Sequence, residues 1–128
     1  MTRRIELHGR VGSILERIYG THLDPHVAEL AYHFFEAAQS GGDVKKAIHY
    51  ATRAAARAER QLAYEDAAHH CEHGLHALEL AEPADEEQRI ELLLALGEAQ
   101  RKAGDITNAR QAFRRAADLA QSLAACRT

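Results

Sequence analysis

The sequence predicts an all-α protein, one domain over residues 1–128 built from about six antiparallel helices stacked as about three hairpins. Three observations carry that prediction. Apolar residues recur at helical spacing through nearly the whole chain. The 46% hydrophobic content includes only 5% aromatic residues, no Trp and two prolines, so Ala and Leu dominate; helices accept both readily, and strands have little to draw on. One turn design also occurs twice: Gly41-Gly42-Asp43 precedes Val44-Lys45-Lys46-Ala47, and Gly104-Asp105 precedes Ile106-Thr107-Asn108-Ala109. Repetition of one local solution is the mark of an array.

The first helix is expected over 3–19, with Ile5, Val11, Ile14, Leu15 and Ile18 as its buried face and Gly20 as a left-handed cap. Asp24 before Pro25 starts the second, over 25–40, because a carboxylate caps free amides and proline gives up no hydrogen bond in a first turn. Its apolar stripe is Leu30, Ala31, Phe34 and Ala38. Gly41-Gly42-Asp43 then closes it and caps the third, over 43–60, which turns Val44, Ala47, Ile48, Ala51, Ala54 and Ala55 inward.

Neither Gly nor Pro separates the third helix from the fourth, so one helix over 44–80 also satisfies the pattern. A turn near 61–63 is preferred, because Ala67, Cys71, Gly74, Leu75 and Leu78 repeat the spacing of Ala47, Ala51, Ala54, Ala55 and Ala58. An unbroken helix would also be long against the usual ~10–14 residues. The fourth helix then covers 64–81. Pro83, Asp85, Glu86 and Glu87 open the fifth, over 84–103, placing negative charge at the positive end of the helix dipole. The sixth covers 105–124.

Residues 92–120 read as two helices folded back on each other. Leu93, Leu96, Gly97, Ala109, Phe113 and Ala116 fall at their crossing, where small residues let backbones approach and Phe113 fills the gap between neighbours. Ala31, Phe35, Ala47, Ala51 and Ala54 play the matching parts over 27–57, with the aromatic on the first helix instead of the second. A generic closed bundle would share these helices but enclose its core, leaving no groove. The sixth helix is expected to expose Ala112, Ala116, Leu119 and Leu123 on one side, which favours a homodimer through a terminal helix pair.

Charge and composition exclude several functions. A chain of 128 residues buries roughly two-thirds of its unfolded surface and needs no staples. With 16 basic and 19 acidic residues, it has no basic excess to attract a nucleic acid. Cys71 and Cys126 form no CxxC pair, and Cys71 sits at a core position. The amino-terminal MTRRIELHGR lacks the apolar run of a signal peptide, and no window reaches the ~18 apolar residues of a membrane span, so a cytoplasmic location is expected.

Nine histidines make the net charge sensitive to pH between about 5 and 7, since imidazole titrates near 6.5. His69, His73 and His76 share one helical stripe with Glu65 and Glu72 close by, which is ligand spacing for a transition metal. The stripe points away from Ala67, Cys71, Gly74 and Leu78, so a solvated polar face is the favoured reading and no metal or cofactor is expected. His33 and His49 are placed at the border of the core, and His8, His22 and His26 near helix ends. No Ser, Cys or Asp accompanies them at a catalytic spacing, which argues against an enzyme.

Taken together, the segments LERIYG, LDPHVAELAYHFFEAA, GGDVKKAIHYATRAA, QLAYEDAAHHCEHGLHALEL and ELLLALGEAQRKAGDITNARQAFRRAADLA cover most of residues 3–120. In this order they resemble the tetratricopeptide-repeat segment that follows the ATPase module of large bacterial signalling regulators, including LuxR-type regulators with an ATP-binding domain. The resemblance implies a right-handed superhelical array that senses or docks a protein partner and passes the result to attached modules. No GxxxxGK[ST] phosphate loop and no helix-turn-helix reader occurs in the sequence itself.

One branch of the repeat family clamps a peptide's terminal carboxylate with Lys, Asn and Arg. The matching positions here are Tyr32 and Glu36, Thr52 and Ala56, Leu94 and Glu98, and two glutamates would repel a carboxylate. The resemblance therefore implies an apolar or basic peptide, with Glu29, Tyr32, Glu36, Leu94, Glu98 and Arg101 lining its groove. Ala47, Ala51, Ala67, Cys71, Gly97, Ala109, Phe113 and Ala116 are the residues expected to pack the repeats together.

Overall fold

Six helices, and no strand among the described residues, are what the apolar spacing becomes in the computed structural model. The structure describes residues 2–83 and 85–127, with side chains over 9–83 and 85–126. In order they are α1 (Thr2–Tyr19), α2 (Val27–Ala38), α3 (Val44–Arg60), α4 (Tyr64–Glu79), α5 (Glu86–Lys102) and α6 (Ile106–Arg127). The third and fourth helices are separate, as the repeated spacing predicts. Ala84, the expected first residue of α5, and Ile5 and His8, expected in α1's packing and near its end, lie outside the described side chains.

Turn chemistry divides the chain at regular intervals. Gly20, Leu62 and Gly104 follow the ends of α1, α3 and α5 with φ of 55°, 62° and 89°, each 42 residues after the last. Behind two of these turns the chain closes in the same way: Ala63 N–H donates to the Ala58 carbonyl and Asp105 N–H to that of Gln100, both at 2.8 Å. The turn after α2 uses the same device, with Gly42 N–H donating to Ala37 across the left-handed Gly41. Asp43 and Asp85, also 42 apart, cap α3 and α5 by accepting from the amides of Lys46 and Gln88 at 3.0 Å. The interval exceeds the ~34 residues of a standard tetratricopeptide unit.

The Asp24 cap does not form. Asp24-Pro25-His26 makes a short 3-10 turn, α2 starts at Val27, and no side chain caps either element. Arginines of α3 take Asp24 instead: Arg57 donates to its carbonyl at 2.9 Å, and Arg60 and Arg53 reach its carboxylate at 3.4 and 3.8 Å. A side chain drawn sideways to two guanidinium groups cannot also reach the free amides of its own helix.

Each helix packs mainly on its chain neighbours, and α2 also touches α4. The core is accordingly two adjoining clusters. One joins Val27, Leu30, Ala31 and Phe34 of α2 to Ala47, Ile48, Tyr50 and Ala54 of α3 and to Ala77 and Leu78 of α4. The other joins the ends of α3 and α4 to Leu92, Leu93, Leu96 and Ala99 of α5 and to Ala112 and Ala116 of α6. Ala112 and Ala116 are therefore covered by α5, contrary to the expectation that α6 exposes them, and Leu119 and Leu123 are half-buried.

At the other end of the array, α1 turns the wrong way for the sequence reading. Ile14 and Ile18 are 45% and 68% exposed, while Gly9 and Gly12 face α2. A Cβ on Gly12 would lie 2.8 Å from the Phe34 ring, and one on Gly97 2.7 Å from Phe113, so the first and last hairpins share a phenylalanine seated on a glycine. Phe34, and not Phe35, is the packing aromatic of α2. In the middle hairpin the residues 42 before Gly97 and Phe113 are Ala55 and Cys71, both buried but with no ring between them.

Candidate functional site

α3 and α5 flank an open groove whose floor is α4. Its wider part, about 1200 Å3, lies at the amino-terminal ends of α3 and α5, where Val44, Ile48, Leu78, Leu80, Pro83 and Leu123 supply apolar walls. Lys45, His49 and Arg53 stand at its rim, together with Glu82, Asp85, Glu86 and Glu87. Its narrower part, about 320 Å3, is lined by Ala55, Ala56, Ala67, Cys71, Leu92 and Ala95, with Glu59, Glu98 and Lys102 around them. Thr52 lines both parts and joins them.

The narrow part follows from the middle hairpin's missing ring. Where Phe113 fills the space over Gly97, the shorter Cys71 beside Ala55 leaves an apolar recess. Burial pushes the Cys71 thiol up to about 12, with Glu59 and Glu72 adding to the effect, so it is a neutral wall and not a nucleophile.

Charge along the groove is lopsided. Carboxylates among the lining residues outnumber Lys and Arg seven to three. At the narrow end Lys102 donates to Glu59, tying α5 to α3, and Arg101 holds Glu98 in a bidentate pair at 2.9 and 3.3 Å. These pairs are solvent-screened, so they shape the rim more than they stabilise the fold. The acid excess is concentrated at the wide end.

The structure brings together only part of the expected groove. Glu98 lines it, Arg101 stands beside Glu98, and Thr52 and Ala56 lie opposite on α3. Leu94 is 46% exposed on α5 but lines neither part. Glu29, Tyr32 and Glu36 belong to α2 and lie outside the groove: Glu29 accepts a long 3.4 Å bond from Tyr19, and Glu36 faces His73. Glu59, Ala95, Lys102 and the acidic residues Glu82, Asp85, Glu86 and Glu87 are groove residues that sequence reasoning missed. The matching caps Asp43 and Asp85 are the signal that aligns α3 with α5 and would have found them.

His69, His73 and His76 form no ligand cluster. Among the described residues, no three His, Cys, Asp or Glu side chains are grouped to hold a metal ion. His69 and His76 are exposed, as a polar face should be, and His73 is half-buried: it stacks on Phe35 at 4.2 Å, His76 meets the same ring edge-on at 5.5 Å, and His69 lies 4.4 Å from His73. Burial, then the neighbouring His69, holds His73 and His70 below the usual imidazole range; Glu36 partly opposes this at His73, and Asp66 at His70. Of the three rings, His73 is the one half-buried at the α2–α4 junction, against Phe35.

The remaining packing residues are where the spacing puts them. Ala47, Ala51, Ala67, Cys71, Ala109 and Ala116 are at most 3% exposed, Gly97 is buried and Phe113 half-buried. No described helix is long and apolar enough to cross a membrane. Compared with known proteins, the chain matches no family model and shows no significant similarity to any curated protein or solved structure.

Proposed function

We propose that this chain is a non-catalytic protein-docking scaffold that holds an apolar or basic segment of a partner protein along the α3–α5 groove. The observation that carries the reading is the groove itself, two apolar-walled parts that share Thr52 under a rim with excess carboxylate. Apolar walls bury a partner's side chains, and the acidic rim attracts Lys or Arg while disfavouring a free carboxylate. Resemblance to tetratricopeptide segments of bacterial ATPase-linked regulators supports the same use, as the cytoplasmic sensing or docking part of a signalling protein with a right-handed superhelical course.

Selection of displayed peptides on the intact chain tests it. Enrichment of sequences pairing Leu or Ile with Lys or Arg is expected. Ala95→Trp fills the narrow part and Glu86→Lys/Glu87→Lys reverses the wide end, and each should weaken the selected peptides at least tenfold. Enrichment of acidic peptides, or peptides indifferent to both variants, would sink the proposal.

A further inference from the structure

α1 carries a surface that the groove does not use. Its described side chains divide cleanly: Gly9, Gly12 and Leu15 face α2 and its cluster, and Glu16 turns inward to take hydrogen bonds from Lys46 and Tyr50 of α3. Burial raises the Glu16 carboxyl, but these two bonds outweigh it and leave Glu16 ionised below the usual range. Outward lie Arg10, Ser13, Ile14, Arg17 and Ile18, and all but Ile18 line a shallow depression of about 690 Å3. Neither arginine has an ion-pair partner among the described residues.

Two exposed isoleucines one turn apart, flanked by two guanidinium groups with no ion-pair partner among the described residues, are half of a helix-to-helix contact. We infer that the outer face of α1 docks an acidic amphipathic helix of a partner, which would seat Leu or Ile against Ile14 and Ile18 and place Glu or Asp against Arg10 and Arg17. Charge decides against pairing α1 with the α1 of a second copy. An antiparallel α1–α1 pair would set Arg10 against Arg17. Like charges facing across an interface are a specificity device against exactly such pairings, whereas an acidic helix satisfies both the charge and the apolar stripe.

The probe is a fluorescent synthetic helix of about 20 residues with Leu at i, i+4 and i+7 and Glu on both flanks, titrated into the full chain and followed by anisotropy. It should bind, and binding should weaken with added salt, as exposed charge pairs are screened over ~8–10 Å. Arg10→Glu/Arg17→Glu and Ile14→Ser/Ile18→Ser, both on the surface and checked by circular dichroism for unchanged helicity, should each lower affinity at least tenfold. Ala95→Trp, which blocks the groove, should leave this binding unchanged and so separates the two surfaces. No binding to the wild type, binding that survives both α1 variants, or a wild-type dimer that Ile14→Ser/Ile18→Ser dissociates would overturn the inference.

Discussion

Leu62 stands where Gly20 and Gly104 stand, with φ of 62° and its side chain 71% exposed. A left-handed L-residue costs roughly 1–2 kcal/mol, and leucine gains nothing back by packing here. Glycine would remove that strain at an entropic cost of ~0.5–1 kcal/mol in the unfolded chain. Leu62→Gly should therefore stabilise the protein by up to about 1 kcal/mol, read as a higher urea midpoint at unchanged slope; a lower midpoint would show that the turn is not under strain. The same turn explains why sequence left the α3–α4 break open, since punctuation by glycine is legible and punctuation by strain is not. At the middle hairpin, Ala55→Gly/Cys71→Phe should rebuild the ring-on-glycine seat of Gly12/Phe34 and Gly97/Phe113. Peptide binding should then fall with the recess filled, while stability holds. Cys71→Phe alone should overpack by roughly 1–3 kcal/mol, as should Ala109→Leu at its 3% exposed crossing, both measurable by urea unfolding.

At the scale of the helix, spacing located every element to within a few residues, because burial of an amphipathic stripe against one neighbour leaves a periodic record. It failed where a helix has fewer neighbours. α1 packs through glycines, which carry no hydropathy signal, and so Ile14 and Ile18 were assigned inward although they point out. In the histidine stripe of α4, His69 and His76 are exposed as a polar face should be, and only His73 departs, half-buried against Phe35 of α2. Burial of His70 and His73 makes stability depend on pH. His70 and His73 hold folded pKa values below the unfolded value of about 6.5, so the unfolded chain binds protons first as pH falls. Their contribution is complete above about pH 7 and is lost as pH drops through 6.5 toward the folded values. The urea midpoint should fall between pH 7.5 and 5.5. In His73→Phe, which keeps a ring on Phe35 but cannot take the proton, it should fall less. Equal losses in the two proteins would assign the pH dependence to other groups.

Over the whole molecule, neighbour-only packing has a consequence that a closed bundle does not share. In an array, stability is approximately a sum of each unit and its nearest interfaces, so damage at one end stays there. α1 meets the rest through α2, Leu15 and the Glu16 bonds to Lys46 and Tyr50, and takes no part in the cluster that binds α5 to α6. Gly12→Leu would drive a side chain into Phe34, whose ring lies 2.8 Å from where even a Cβ would sit. Hydrogen exchange should then show α1 losing protection first and the amino-terminal turns of α2 following. α4, α5 and α6 should keep theirs, and the α3–α5 groove should still bind the peptides selected on the wild type. The acidic helical probe should bind far less, because a frayed α1 no longer presents Arg10, Ile14, Arg17 and Ile18 on one stripe. Uniform loss of protection from α1 to α6 would instead mean that the two clusters unfold as one core, and that the groove and the α1 face are not independent surfaces.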